Sequence, residues 1–98
     1  MKKLKEGSEK EALYKIEFKK SAVKELEKLN PRDIPRIVDA IESLSTNPFP
    51  HYSKKIQGKR NLYRLRVGVY RIIYQVDFKG RIITIFYIRL RKHAYREL

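Results

Sequence analysis

Residues 62–74, Leu62-Tyr63-Arg64-Leu65-Arg66-Val67-Gly68-Val69-Tyr70-Arg71-Ile72-Ile73-Tyr74, decide the fold, because two alternating runs meet there across a glycine-containing pair. Successive side chains of a strand point to opposite faces, so Tyr63, Leu65 and Val67 share one face while Arg64 and Arg66 take the other. On the second run Tyr70, Ile72 and Tyr74 oppose Arg71 and Ile73. With Gly68-Val69 as a two-residue hairpin turn, Val67 pairs with Tyr70 and both apolar sets fall on one face. Arg66 then stands directly across from Arg71. Like charges so placed destabilise a sheet unless an anion sits between them. Phosphate fits the two-pronged guanidinium fork.

Working downstream, residues 82–88 are apolar at nearly every position, which predicts a central strand covered on both faces. The turn signal before it is Lys79-Gly80. Apolarity on both faces leaves that hairpin's register open. The strand runs back to the level of Arg71, so Arg89 and Arg91 emerge near the same edge, followed by Lys92-His93-Ala94-Tyr95-Arg96. An imidazole and a phenol beside fixed cations allow proton transfer or base stacking. Packing of the tail is the plainer role for Tyr95, and an exposed position the plainer one for His93. Tyr63, Tyr70 and Tyr74 read as core, and His51 has no functional case.

Upstream, the period changes twice. Tyr14, Ile16 and Phe18 alternate with Lys15 and Glu17 as a strand with one buried face. Ala22, Val23, Leu26 and Leu29 then make a helical stripe, capped by Ser21 and ended by Asn30-Pro31. Ile34, Ile37, Val38, Ile41 and Leu44 make a second, with Asp33 as its cap and Asn47-Pro48 as its stop. Residues 45–60 form a long connection carrying Lys54, Lys55, Lys59 and Arg60. The expected class is α+β: an N-terminal strand and an antiparallel two-helix hairpin on one face of a mainly antiparallel sheet, in the order β-α-α-β-β-β. Residues 1–12 read as a flexible basic extension and 13–98 as a single domain.

Composition narrows the partner. The 98-residue chain carries 24 Lys and Arg against 11 Asp and Glu, a net charge of +13, which concentrates polyanions near its surface. Nucleic acid or a strongly acidic protein is the expected partner. Without cysteine the chain can build neither a disulfide nor a thiolate zinc site, and two histidines alone make no metal centre. No apolar run approaches the ~20 residues of a membrane span, and the charged start does not resemble a secretory signal, so a cytoplasmic location is expected.

The run 62–74 resembles the core of RelE/ParE-type toxins, members of type II toxin–antitoxin systems, in an archaeal-like RelE form. Tyr14-Lys15-Ile16 and Arg91-Lys92-His93-Ala94-Tyr95 are similar to the family's beginning and ending. In the RelE branch the resemblance implies a ribosome-dependent mRNA interferase that cleaves A-site codons by attack of the messenger's 2′-hydroxyl on the adjacent phosphate, with no metal or cofactor. It assigns catalytic roles to Arg71, Arg91 and Tyr95. Arg64 and Arg66 fall where several members have lysines and, since arginine cannot act as a base, would hold RNA together with Arg89, Lys54, Lys55 and Lys92. The resemblance also implies an acidic, RelB-like antitoxin partner. The alternatives are a ParE-like gyrase inhibitor without chemistry of its own and an inactive RNA- or antitoxin-binding relative.

Overall fold

The switch from a period of two to a period of 3.6 after Phe18 is a switch of element. Strand β1 spans Lys15–Phe18 and helix α1 spans Lys20–Glu27. Helix α2 covers Ile34–Ser43, with Pro35 in its first turn, where the missing N–H leaves nothing unpaired. Strands β2 (Ser53–Lys55), β3 (Leu62–Val67), β4 (Tyr70–Asp77) and β5 (Ile82–Leu90) follow, and a 3-10 turn over Arg91–His93 is the last element among the described residues. The computed structural model describes residues 13–94. The expected extension over 1–12 and Tyr95 lie outside the described residues.

The sheet order is β1-β5-β4-β3-β2, antiparallel except that β1 runs parallel to β5. Helix α1 lies against β5 and β1, and α2 against β3. Ala22, Ile37 and Ile41 from the helices meet Leu65, Ile72, Tyr74, Val76, Ile83, Ile85 and Ile88 in one core. The α+β class is as the residue pattern predicts. So is the hairpin, with Arg66 opposite Arg71 and Val67 opposite Tyr70. Gly68 holds φ at +59°, a conformation that side chains disfavour.

The apolar run 82–88 forms interior strand β5, flanked by β4 and β1, as its pattern predicts. Three expectations change. The 45–60 connection contains edge strand β2, too short and polar for its pattern to register. Ser21 does not cap α1, since the cap position is Lys19 and Ser21 Oγ donates to Phe86 O at 2.7 Å. Asp33 occupies the cap position of α2 without bonding it, because its carboxylate accepts from Tyr70 Oη at 2.9 Å.

Tyr74, buried completely, donates its hydroxyl to Pro48 O at 2.6 Å. Burial pushes this phenol up to about 12. The neutral form is therefore favoured by folding, and the stability it confers is complete below the unfolded tyrosine value of about 10 and disappears as pH rises through 12. The unfolding free energy from urea titration should fall by about 1.4 kcal/mol per pH unit across that window. Tyr70, raised by its hydrogen bond to Asp33, adds to the same trend. Tyr74→Phe should flatten most of the slope, and an unchanged slope would place the alkaline loss elsewhere.

Candidate nucleic-acid interface

Cross-strand register builds the interface. Arg66, Arg71 and Arg89 are consecutive partners across β3, β4 and β5, and Lys54, Arg64, Ile73 and Tyr87 form the adjoining row. Paired residues share a face, so these basic side chains leave the sheet on the side away from the helices, with Arg89 reaching across the β5 edge to Glu25 of α1.

Arg89 reaches that row through a bulge. Ile73 pairs with Tyr87 but Tyr74 pairs with Ile85, which leaves Phe86 as the extra residue of β5. Unbroken alternation from Ile83 and Ile85 would carry Tyr87 and Arg89 beneath the helices. The additional residue reverses the parity, turning Ile88 inward and Arg89 outward.

A row of three cations is costly, and the protein supplies oxygens against part of that cost. Arg71, 8% exposed, donates Nη1 to Gly68 O at 3.1 Å and to Tyr70 O at 2.9 Å, the carbonyls of its own hairpin turn. Arg89 donates Nε to Glu25 Oε2 at 2.8 Å, and its guanidinium lies 3.7 Å from the Tyr87 ring centroid. The pairing of Arg66 with Arg71 thus has internal compensation, which the expectation of an intervening anion did not include. Arg66 stays exposed and Arg64 is half-buried.

The remaining candidates divide. Lys54 shares the face of Arg64, whereas Lys55 pairs with Tyr63 and belongs to the helix side. Arg91 and Lys92 sit in the 3-10 turn past β5, exposed, with Arg91 N donating to Val69 O at 2.9 Å. They form a rim beside the Gly68-Val69 turn, and Arg89 is the partner in register with Arg71. Tyr95 lies outside the described residues. His93 is half-buried and lines a cleft of about 480 Å³ with Glu25, Tyr70 and Arg89.

Two contributors escape a reading of the sequence alone. Tyr87 supplies the aromatic shelf under Arg89, hidden within an apolar run. Glu25 sits three residues after buried Ala22, at the margin of the apolar stripe, a position that does not by itself set it apart from a solvated carboxylate.

The arrangement presents delocalised, permanently charged donors in adjacent rows, suited to a phosphodiester backbone. Comparison with known proteins bears on the fold and the family. The family model described as the ParE toxin of type II toxin–antitoxin systems matches residues 16–95. A RelE1 toxin candidate from Methanocaldococcus jannaschii is 35% identical over 86 residues, 85% of this chain and 96% of that protein. A chain of the archaeal RelE–RelB complex from Pyrococcus horikoshii OT3 superposes with a TM-score of 0.72 at 31% identity, covering 81% of this chain and 96% of that one. A chain of the RelB–RelE complex from Methanococcus jannaschii gives 0.68 at 34%, covering 84% and 98%. The sheet, the helices and the matched sequence lead to one conclusion: this chain belongs to the RelE/ParE toxin family of type II toxin–antitoxin systems.

Proposed function

We propose that this toxin is an endoribonuclease that cleaves messenger RNA in the ribosomal A site. The observation that carries the reading is the row Arg66-Arg71-Arg89 across three adjacent strands. The messenger's 2′-hydroxyl attacks the adjacent phosphorus, the bond to the 5′-oxygen breaks, and the products are a 2′,3′-cyclic phosphate and a free 5′-hydroxyl. Charge grows on the phosphoryl oxygens as the fifth bond forms. Guanidinium groups already held by Gly68, Tyr70 and Glu25 meet that charge with little reorganisation. Arg91 is a further catalytic contact from the rim, and Tyr95 is the proton-handling group. Arg64, Arg66, Lys54 and Lys92 hold the backbone.

A cognate antitoxin with an acidic contact surface completes the system. The +13 charge and the RelB complexes of the relatives support it.

The competing reading, a gyrase poison that performs no chemistry, draws on the ParE description of the matching family. A translation reaction separates the two. New messenger ends mapped by primer extension should be phased with codons and should require ribosomes. Tyr95→Phe should slow cutting by about a hundredfold while ribosome binding changes little. Intact messenger together with trapped gyrase–DNA complexes would establish the competing reading instead.

A further inference from the structure

Helix α1 takes over the sheet edge where β1 leaves it. β1 pairs with β5 only as far as Phe18 opposite Ile85, and no other strand lies on that side of β5 among the described residues. Side chains of α1 continue the pairing. Ser21 Oγ donates to Phe86 O at 2.7 Å, and Glu25 Oε1 accepts from Ile88 N at 2.8 Å. The other oxygen of the same carboxylate accepts from Arg89 Nε at 2.8 Å, with the two side chains 27% and 14% exposed. Tyr87 supports the guanidinium at 3.7 Å. One carboxylate therefore joins the sheet edge to the arginine that stands in register with Arg71.

We infer that Glu25 is a positioning residue for the phosphate site: its clamp on Arg89 Nε fixes the guanidinium for a phosphodiester bound at the Arg66-Arg71-Arg89 row. The inference rests on the nuclease reading for what the site does, and on the contacts above for the clamp. A neutral acceptor would be enough to cap the Ile88 N–H, so the second oxygen and the charge serve Arg89. Nε is the donor nearest the flexible stem, and holding it removes rotamer freedom before substrate arrives. The same carboxylate repels a phosphate. Glu25 thus exchanges some attraction for geometry, and its loss should move binding and cleavage in opposite directions.

Glu25→Gln separates these roles, since it keeps an oxygen for Ile88 N but turns an amide donor toward the Nε donor of Arg89. In NMR spectra of arginine-labelled protein, the Arg89 Nε–H of the native chain should exchange slowly with water. It should also shift when a single-stranded RNA carrying a methylated 2′-hydroxyl at the cleavage step is added. In Glu25→Gln that protection should fall at least about tenfold while the RNA binds as tightly or more tightly. Cleavage on ribosomes should slow by about a hundredfold, and Glu25→Gln combined with Arg89→Ala should be no slower than Arg89→Ala alone. Equal protection in the two proteins, no response of the Arg89 signal to RNA, or additive losses in the double variant would overturn the inference. If Glu25→Gln fails to fold, Arg89→Lys decides: slowed cleavage with undiminished RNA binding supports the clamp, and native cleavage overturns it. A native protein that cuts no messenger yet gives the stated Arg89 response would remove the nuclease reading and leave the clamp standing.

Discussion

Arg71→Ala is expected to lower messenger cleavage by about a hundred- to a thousandfold, the loss typical of deleting one fixed donor to a charge that develops in the transition state. Arg71 suits that task because it is already immobilised by the Gly68 and Tyr70 carbonyls, in a setting only 8% exposed. A shielded charge interacts more strongly than one in open water, and a fixed one needs no reordering as the reaction proceeds. The substitution also removes two hydrogen bonds to the turn, which cost about 1 kcal/mol each in stability. Time courses must therefore be taken at a temperature where circular dichroism shows both proteins folded. Arg71→Lys supplies the second comparison: it restores the charge without the planar fork and should recover only a small part of the rate. Cleavage that persists within about threefold of native in folded Arg71→Ala would show that Arg71 serves the hairpin and nothing else.

The part of the site that could be read from sequence is the part fixed by local rules. Gly68 permits the tight turn, strict alternation on either side sets the register, and the meeting of Arg66 with Arg71 follows. Arg89 could not be placed in the same way. Residues 82–88 are apolar on both faces, so nothing in their pattern betrays the extra residue at Phe86 that reverses the parity of the strand. Arg91, to which the family resemblance gives a catalytic role, sits past the strand end. Ser21 and Asp33 show the same limit from another side. Their types suit helix caps, but their partners are Phe86 and Tyr70, which only the folded chain brings near. Glu25 is the plainest instance, since a carboxylate on a helix margin has the look of a solvated residue until Ile88 and Arg89 are placed beside it.

Ile73→Ala should destabilise the fold by about 2–5 kcal/mol, a large share of the roughly 5–15 kcal/mol that holds a domain together. Ile73 is fully buried although it lies on the basic face, between Arg64 on β3 and Tyr87 on β5. A cationic surface designed only for solvation would leave an apolar side chain there in water. Complete burial means that neighbouring groups close over it and make a dry floor beneath the arginine rows. Truncation opens a cavity under that floor, and for a domain of this size each kcal/mol lowers the melting temperature by roughly 4–8 °C. Ile73→Val, which removes a single methyl group, should cost only about 0.5–1.5 kcal/mol. Neither substitution deletes a donor, so cleavage per folded molecule in the cold should stay within about tenfold of native, in contrast to Arg71→Ala. Thermal melts of all three proteins measure the first effect and cold primer-extension assays the second. A loss below about 0.5 kcal/mol for Ile73→Ala would mean that water already reaches this position, and the floor would then play no part in holding the guanidinium groups in place.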